Sequence, residues 1–189
     1  MALQRDPSNW YARWAAHAHA ETLVTSEKSA ANIRGFDPEL RNLTLVLFKS
    51  PQQFWASMSK RPWKKASISG SLNSWTKIYS EFLDNEKYRP EHGVVFLSLE
   101  KFQQAPEEGI KRLAERLPLA IDESALSYWN TQQHYMGGNF NVYQKVQGAE
   151  PEKLAVHYSQ KPVSGDDREF IRTHEATKIF QRLSTLSIM

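Results

Sequence analysis

Two short runs in this chain are apolar at nearly every position, Leu43-Thr-Leu-Val-Leu-Phe48 and Val94-Val-Phe-Leu-Ser-Leu99. Neither shows the polar alternation of a strand with one wet face, so both predict strands buried on both sides of a parallel sheet. Glu21-Thr-Leu-Val-Thr25 predicts a shorter third strand, and Gly93 marks the start of the last one. Between these runs the apolar residues recur at helical spacing. Ser8 caps a first helix through Trp10, Trp14 and Ala15 to about Ala20, and residues 31–42 read as irregular or weakly helical. Pro51 suits the first turn of a helix running to about Lys60. Ser71 opens a helix whose Leu72, Trp75, Ile78, Tyr79, Phe82 and Leu83 share a face. The string Ser67-Ile-Ser-Gly-Ser71 before it reads as a linker that caps it.

Pro106 starts a further helix with Ile110, Leu113, Ala114 and Leu117 on one side, and Asp122 caps a short one through Leu126 and Trp129. A polar, glycine-bearing loop spans His134 to Asn141. Ser164 with Asp167 forms a capping box for one last helix bearing Phe170, Ile171, Ile179, Phe180 and Leu183. Alternating strands and helices predict a single α/β domain over residues 1–189, a parallel β-sheet flanked by helices. In such sheets ligands bind beyond the carboxyl ends of the strands, which points to the residues after Val24, Phe48 and Leu99.

Composition narrows the chemistry. The 189 residues are 40% hydrophobic and 24% charged, ordinary for one globular domain. Twenty-four Lys and Arg against 21 Asp and Glu leave a net charge of +3. That excess suits an anionic ligand but not a nucleic-acid coat. Cysteine is absent, which excludes disulfides, thiolate metal sites and thiol catalysis. The apolar runs are too short to span a bilayer and MALQRDPSNW lacks the pattern of a signal peptide, so neither membrane nor export is expected and the expected compartment is the cytoplasm.

The strand tips carry the candidate chemistry. Lys49 ends the Leu43–Phe48 run, Pro51 begins a helix, and Ser57 lies eight residues beyond Lys49, about two turns into that helix. A cation, a hydroxyl and the free amides of a helix N-terminus together suit a phosphate. Ser26-Glu27-Lys28-Ser29-Ala30 follows the first strand. His17 and His19 tempt a metal reading, but helical neighbours two apart face different directions, and no metal is expected. Lys60, Arg61, Lys64 and Lys65 form a basic loop, read as solvated or as a guide for an anionic acceptor. Trp14, Trp75 and Trp129 fit apolar helical faces; Trp55 and Trp63 are read as core, with an acceptor cleft as the alternative.

These elements resemble the PAPS-dependent sulfotransferases, which use 3′-phosphoadenosine 5′-phosphosulfate (PAPS) and release 3′-phosphoadenosine 5′-phosphate (PAP). In LTLVLFKSPQQFWASM, Lys49 and Ser57 stand where the family grips the nucleotide's 3′-phosphate. SEKSA is similar to the Glu-Lys-Ser/Thr-Ala/Pro element of the heparan-type enzymes, which makes Lys28 the cation at the transfer site and Glu27, His17 or His19 the base. VVFLSLEKFQQAPEEGIKRLAERLPL resembles the family's later strand, acidic element and helix. His134-Tyr-Met-Gly-Gly-Asn139 resembles its loop returning to that phosphate, which implies Gly138 and Asn139 as contacts, with Lys145 in place of an Arg. The resemblance covers about residues 22 to 183 and implies a P-loop-NTPase-like fold, N-terminally truncated.

The chain departs from the family in two further respects. Residues 1–20 hold no glycine where a phosphosulfate-binding loop belongs, and Lys49 replaces an Arg, keeping charge without bidentate geometry. The implied activity is sulfuryl transfer from PAPS to a hydroxyl or amine of a carbohydrate or small molecule, without a metal. The alternative is a catalytically incomplete module that binds PAP, PAPS or another anion. A P-loop kinase is disfavoured because GxxxxGK[ST] is absent. An unpaired sheet edge predicts a homodimer.

Overall fold

The computed structural model describes residues 43–60, 67–117, 160 and 162–189. The expected first helix, the strand at 21–25, the basic loop beyond Lys60, the Asp122 helix and the His134–Asn141 loop lie outside the described residues, as do Trp14, Trp63 and Trp129. What is described is mixed α/β, mostly helical, around a two-stranded parallel sheet.

Strand β1 (Thr44–Phe48) pairs with β2 (Val94–Ser98) in register, Thr44 opposite Val94 and Phe48 opposite Ser98. Helices α1 (Pro51–Met58) and α2 (Ile68–Asp84) lie between them in sequence. Two single 3-10 turns, Glu86–Tyr88 and Pro90–His92, lead into β2. Gly93 takes a left-handed φ of 79°, donates its N–H to Pro90, and offers its carbonyl to the Thr44 N–H at 3.2 Å, setting the start of the register. Only glycine holds that conformation cheaply. After β2 come α3 (Leu99–Gln104), α4 (Pro106–Arg116), α5 (Gly165–Thr173) and α6 (Glu175–Leu186). A Cβ on Gly109 of α4 would run into the Phe102 ring of α3, so its absence permits their close approach.

Each parallel face gathers its own core. Val46, Phe48, Val94 and Phe96 face α2 and α6, where Leu72, Trp75, Ala176, Ile179 and Leu183 are buried with them. Phe48 meets the Tyr79 and Phe180 rings edge-on at 6.5 and 6.0 Å. On the opposite face Val95 and Leu97 pack with Leu113 of α4, joined by Phe102, Leu117, Ile188 and Met189. The C-terminal residues extend the sheet by one parallel bridge. Ile188 donates to the Phe96 carbonyl at 3.0 Å, the Ser187 hydroxyl accepts from Ser98, and Arg112 and Lys101 hold the carbonyls of Ile188 and Met189. Among the described residues no helix is long and apolar enough to cross a membrane.

Three expectations need correction. First, β1 is not buried on both sides: Leu45 and Leu47 remain 39% and 50% exposed. Helix α4 and the C-terminal residues cover the β2 half of that face and leave the β1 half. Second, Ser67-Ile-Ser-Gly-Ser71 is no linker, because residues 68–71 are the first turn of α2. The Ser67 hydroxyl accepts from the Gly70 amide at 3.1 Å, which starts the helix a turn before Ser71. Third, the last helix is two. His174 turns extended, its Nδ1 accepts from the Ala176 amide at 3.1 Å, and its Nε2 lies 3.1 Å from Asn73 Oδ1. A mid-sequence histidine acts as an N-cap and restarts the helix. The helix from Pro51, expected to reach about Lys60, spans Pro51–Met58 and so ends within two residues of that point.

Candidate functional site

Parallel pairing brings the carboxyl ends of β1 and β2 side by side, and the polar residues that follow each strand meet there. Lys49 and Ser50 leave β1; Leu99 and Glu100 leave β2 directly into α3. Glu100 Oε1 accepts two hydrogen bonds from Ser50, from its N–H at 2.6 Å and from its hydroxyl at 2.8 Å. Bonds to a carboxylate are about twice as strong as neutral ones. The Ser50 hydroxyl in turn accepts from the Gln53 amide at 3.2 Å, and the Ser50 carbonyl takes the Phe54 amide at 2.9 Å. Ser50 is thus the N-cap of α1, and Pro51 in the first turn has no N–H to satisfy. Glu100 Oε2 is buried and has no hydrogen-bond partner among the described residues.

This arrangement corrects one part of the phosphate reading. The Ser50 and Gln53 amides at the mouth of α1 are not free for a ligand, because a side chain of this protein already engages each of them. The reason is local: a serine before the proline supplies its own cap, and an acid from the next strand tip reaches the remaining donor.

Lys49 and Ser57 are both half-buried and belong to the same strand–helix unit. Ser57 lies about 9 Å along the axis from the start of α1. Ser50, Gln53 and Ser57 follow the i, i+3, i+7 spacing that places residues on one side of a helix, so Ser57, seven residues past the cap, lies on the side of the cap. The Ser57 hydroxyl donates to the Gln53 carbonyl one turn back, at 2.9 Å. Trp55, on the other side, is core and not a cleft wall: it is buried, and its indole N–H donates to Asp167 of α5 at 2.9 Å.

Tyr79 of α2 completes the strand-tip cluster. Its hydroxyl donates to the Leu47 carbonyl near the end of β1, at 2.9 Å. Burial pushes its phenol up to about 12, and the negative charge of Glu100 adds to the shift. Helical spacing marks Tyr79 only as a position on the apolar face of α2, and nothing in that spacing points to Glu100. The signal for Glu100 was present, since it directly follows Leu99 at a strand's carboxyl end. Glu27, Lys28, Gly138, Asn139 and Lys145, with His17 and His19, lie outside the described residues.

Compared with models of protein families, with curated proteins and with solved structures, the chain matches none.

Proposed function

We propose that this chain is a sulfotransferase-like domain of P-loop-NTPase-like fold. It takes a sulfuryl group from PAPS and passes it to a hydroxyl or amine of a carbohydrate or small molecule. The observation that carries the reading is the parallel pairing of β1 with β2, with the Ser57-bearing helix starting one residue past Lys49. Lys49 supplies a cation and Ser57 a hydroxyl, the two kinds of donor a 3′-phosphate needs. To donate to phosphate, Ser57 must turn its proton away from the Gln53 carbonyl. That bond contributes about 1 kcal/mol, whereas a hydrogen bond to a charged oxygen contributes roughly 1.5–3 kcal/mol, so the exchange favours the ligand.

In the transfer step the sulfur–oxygen bond to the 5′-phosphate breaks as a new bond forms from sulfur to the acceptor oxygen or nitrogen. Lys28 offsets charge on the leaving phosphate, and Glu27, His17 or His19 takes the acceptor proton. Positioning and electrostatics supply the catalysis, as in phosphoryl transfer.

Calorimetric titration with PAP tests the reading. The expected result is saturable heat from the wild type that a Lys49→Ala, Ser57→Ala double variant loses. Transfer of labelled sulfate from PAPS separates a transferase from a module that only binds. No heat at millimolar PAP overturns both.

A further inference from the structure

We propose that Glu100 is a positioning residue of the strand-tip site, holding Ser50 so that Lys49 and the helix bearing Ser57 are presented to the nucleotide together. The inference rests on the nucleotide reading above and adds to it a residue that reading did not contain.

Ser50 is the single residue between Lys49 and the first residue of α1. Any change in its backbone moves the lysine relative to the helix. Both of its donors go to one oxygen of Glu100, which stands 50 residues away at the tip of the neighbouring strand. The Ser50 hydroxyl and carbonyl also hold the Gln53 and Phe54 amides, so the cap of α1 and the link to β2 converge on one residue. The carboxylate therefore ties two strand tips and one helix start into a single geometry.

The other oxygen gives a second reason to look beyond packing. Among the described residues Glu100 Oε2 is buried without a partner, and an unpaired buried acceptor opposes stability. A site that must be preorganised tolerates such a cost when the supporting residue fixes groups that touch the ligand. The position asks for an acceptor with the reach of a glutamate side chain; the charge is secondary, because a carboxylate beside a phosphate site repels the ligand.

Reach and charge separate in two variants. Glu100→Gln keeps the length and one accepting oxygen and loses the charge. Glu100→Asp keeps the charge and loses one methylene of reach. With PAP as the titrant and the full chain as the protein, E100Q is expected to bind within threefold of wild type or tighter, and E100D at least tenfold more weakly. Amide hydrogen exchange at Ser50 without ligand is expected to quicken in E100D and not in E100Q, which ties the affinity loss to the turn. An E100D affinity equal to wild type overturns the proposal, as does an E100Q loss as large as that of E100D. Wild-type protein that gives no heat with PAP overturns the nucleotide reading and this role with it. Wild-type heat that both variants keep overturns the role of Glu100 alone.

Discussion

Strands β1 and β2 look alike in sequence and fare differently in the structure. Each is five residues long, each is apolar on both faces, and each ends in a turn into a helix. Every residue of β2 is buried, whereas β1 buries Val46 and Phe48 and leaves Leu45 and Leu47 exposed. The difference comes from neighbours. Strand β2 has β1 along one edge, the bridge at Ser187 along the other, α2 and α6 on one face and α4 on the other. Among the described residues β1 shares only the α2 and α6 face. An apolar run thus sets a strand's capacity for burial, and the packing of distant elements sets how much of it is used.

The sharpest way to break the comparison is Phe96→Ala in β2. Phe96 is 1% exposed, and its removal leaves a void under α2 and α6. The expected loss is about 3–5 kcal/mol, read from chemical denaturation. A loss under about 1 kcal/mol would mean that the α2 and α6 face, where Phe96 and Phe48 are equally buried, is not the packed side of the sheet.

Tyr79→Phe probes the tie between α2 and β1. Losing the hydrogen bond to the Leu47 carbonyl is expected to cost about 1 kcal/mol at neutral pH. The variant also changes the alkaline limb. With the phenol pushed up from 10.0 to about 12, the folded protein still holds the proton where the unfolded chain has released it. Stability from Tyr79 is therefore fully present below pH 10 and falls between pH 10 and 12, by roughly 2 kcal/mol. Denaturation midpoints across that range should decline less steeply in Tyr79→Phe than in wild type. Equal slopes would remove Tyr79 as the cause.

The smallest effect is expected at Leu47→Thr. The residue is half exposed and threonine keeps the preference for a strand, so stability should stay within about 0.5 kcal/mol of wild type. A change approaching that of Phe96→Ala would show that the leucine face of β1 is covered in solution, and the contrast between the strands would vanish.

Much of the local structure was legible from short-range signals. Pro51 opens α1, Pro106 opens α4, and the Ser164 hydroxyl accepts from the Asp167 amide as the capping spacing implied. The apolar face of α2 is the predicted one, with Leu72, Trp75 and Phe82 buried. In the candidate site, the placement of Lys49 at a strand tip and Ser57 on the following helix was legible for the same reason. A cap, a proline or a helical period acts within one or two turns, so neighbouring residues carry the information.

The split at His174 was not legible, because apolar spacing runs straight through it. A histidine caps a helix only where its ring finds both a backbone amide and a fixed partner, here Asn73 of α2. The exposure of Leu45 and Leu47 and the capture of Ser50 by Glu100 were hidden in the same way. The sequence by itself determined the two strands, the starts of α1, α4 and α5, and which residues stand at the strand ends; it did not show the Leu99–Gln104 helix, the early start of α2 or the break before α6. Only the tertiary structure decided which apolar faces are covered and which acid meets which serine. Propensity and capping are settled among near neighbours, whereas burial and the Ser50–Glu100 contact join positions 50 residues apart, whose meeting depends on how every intervening element packs.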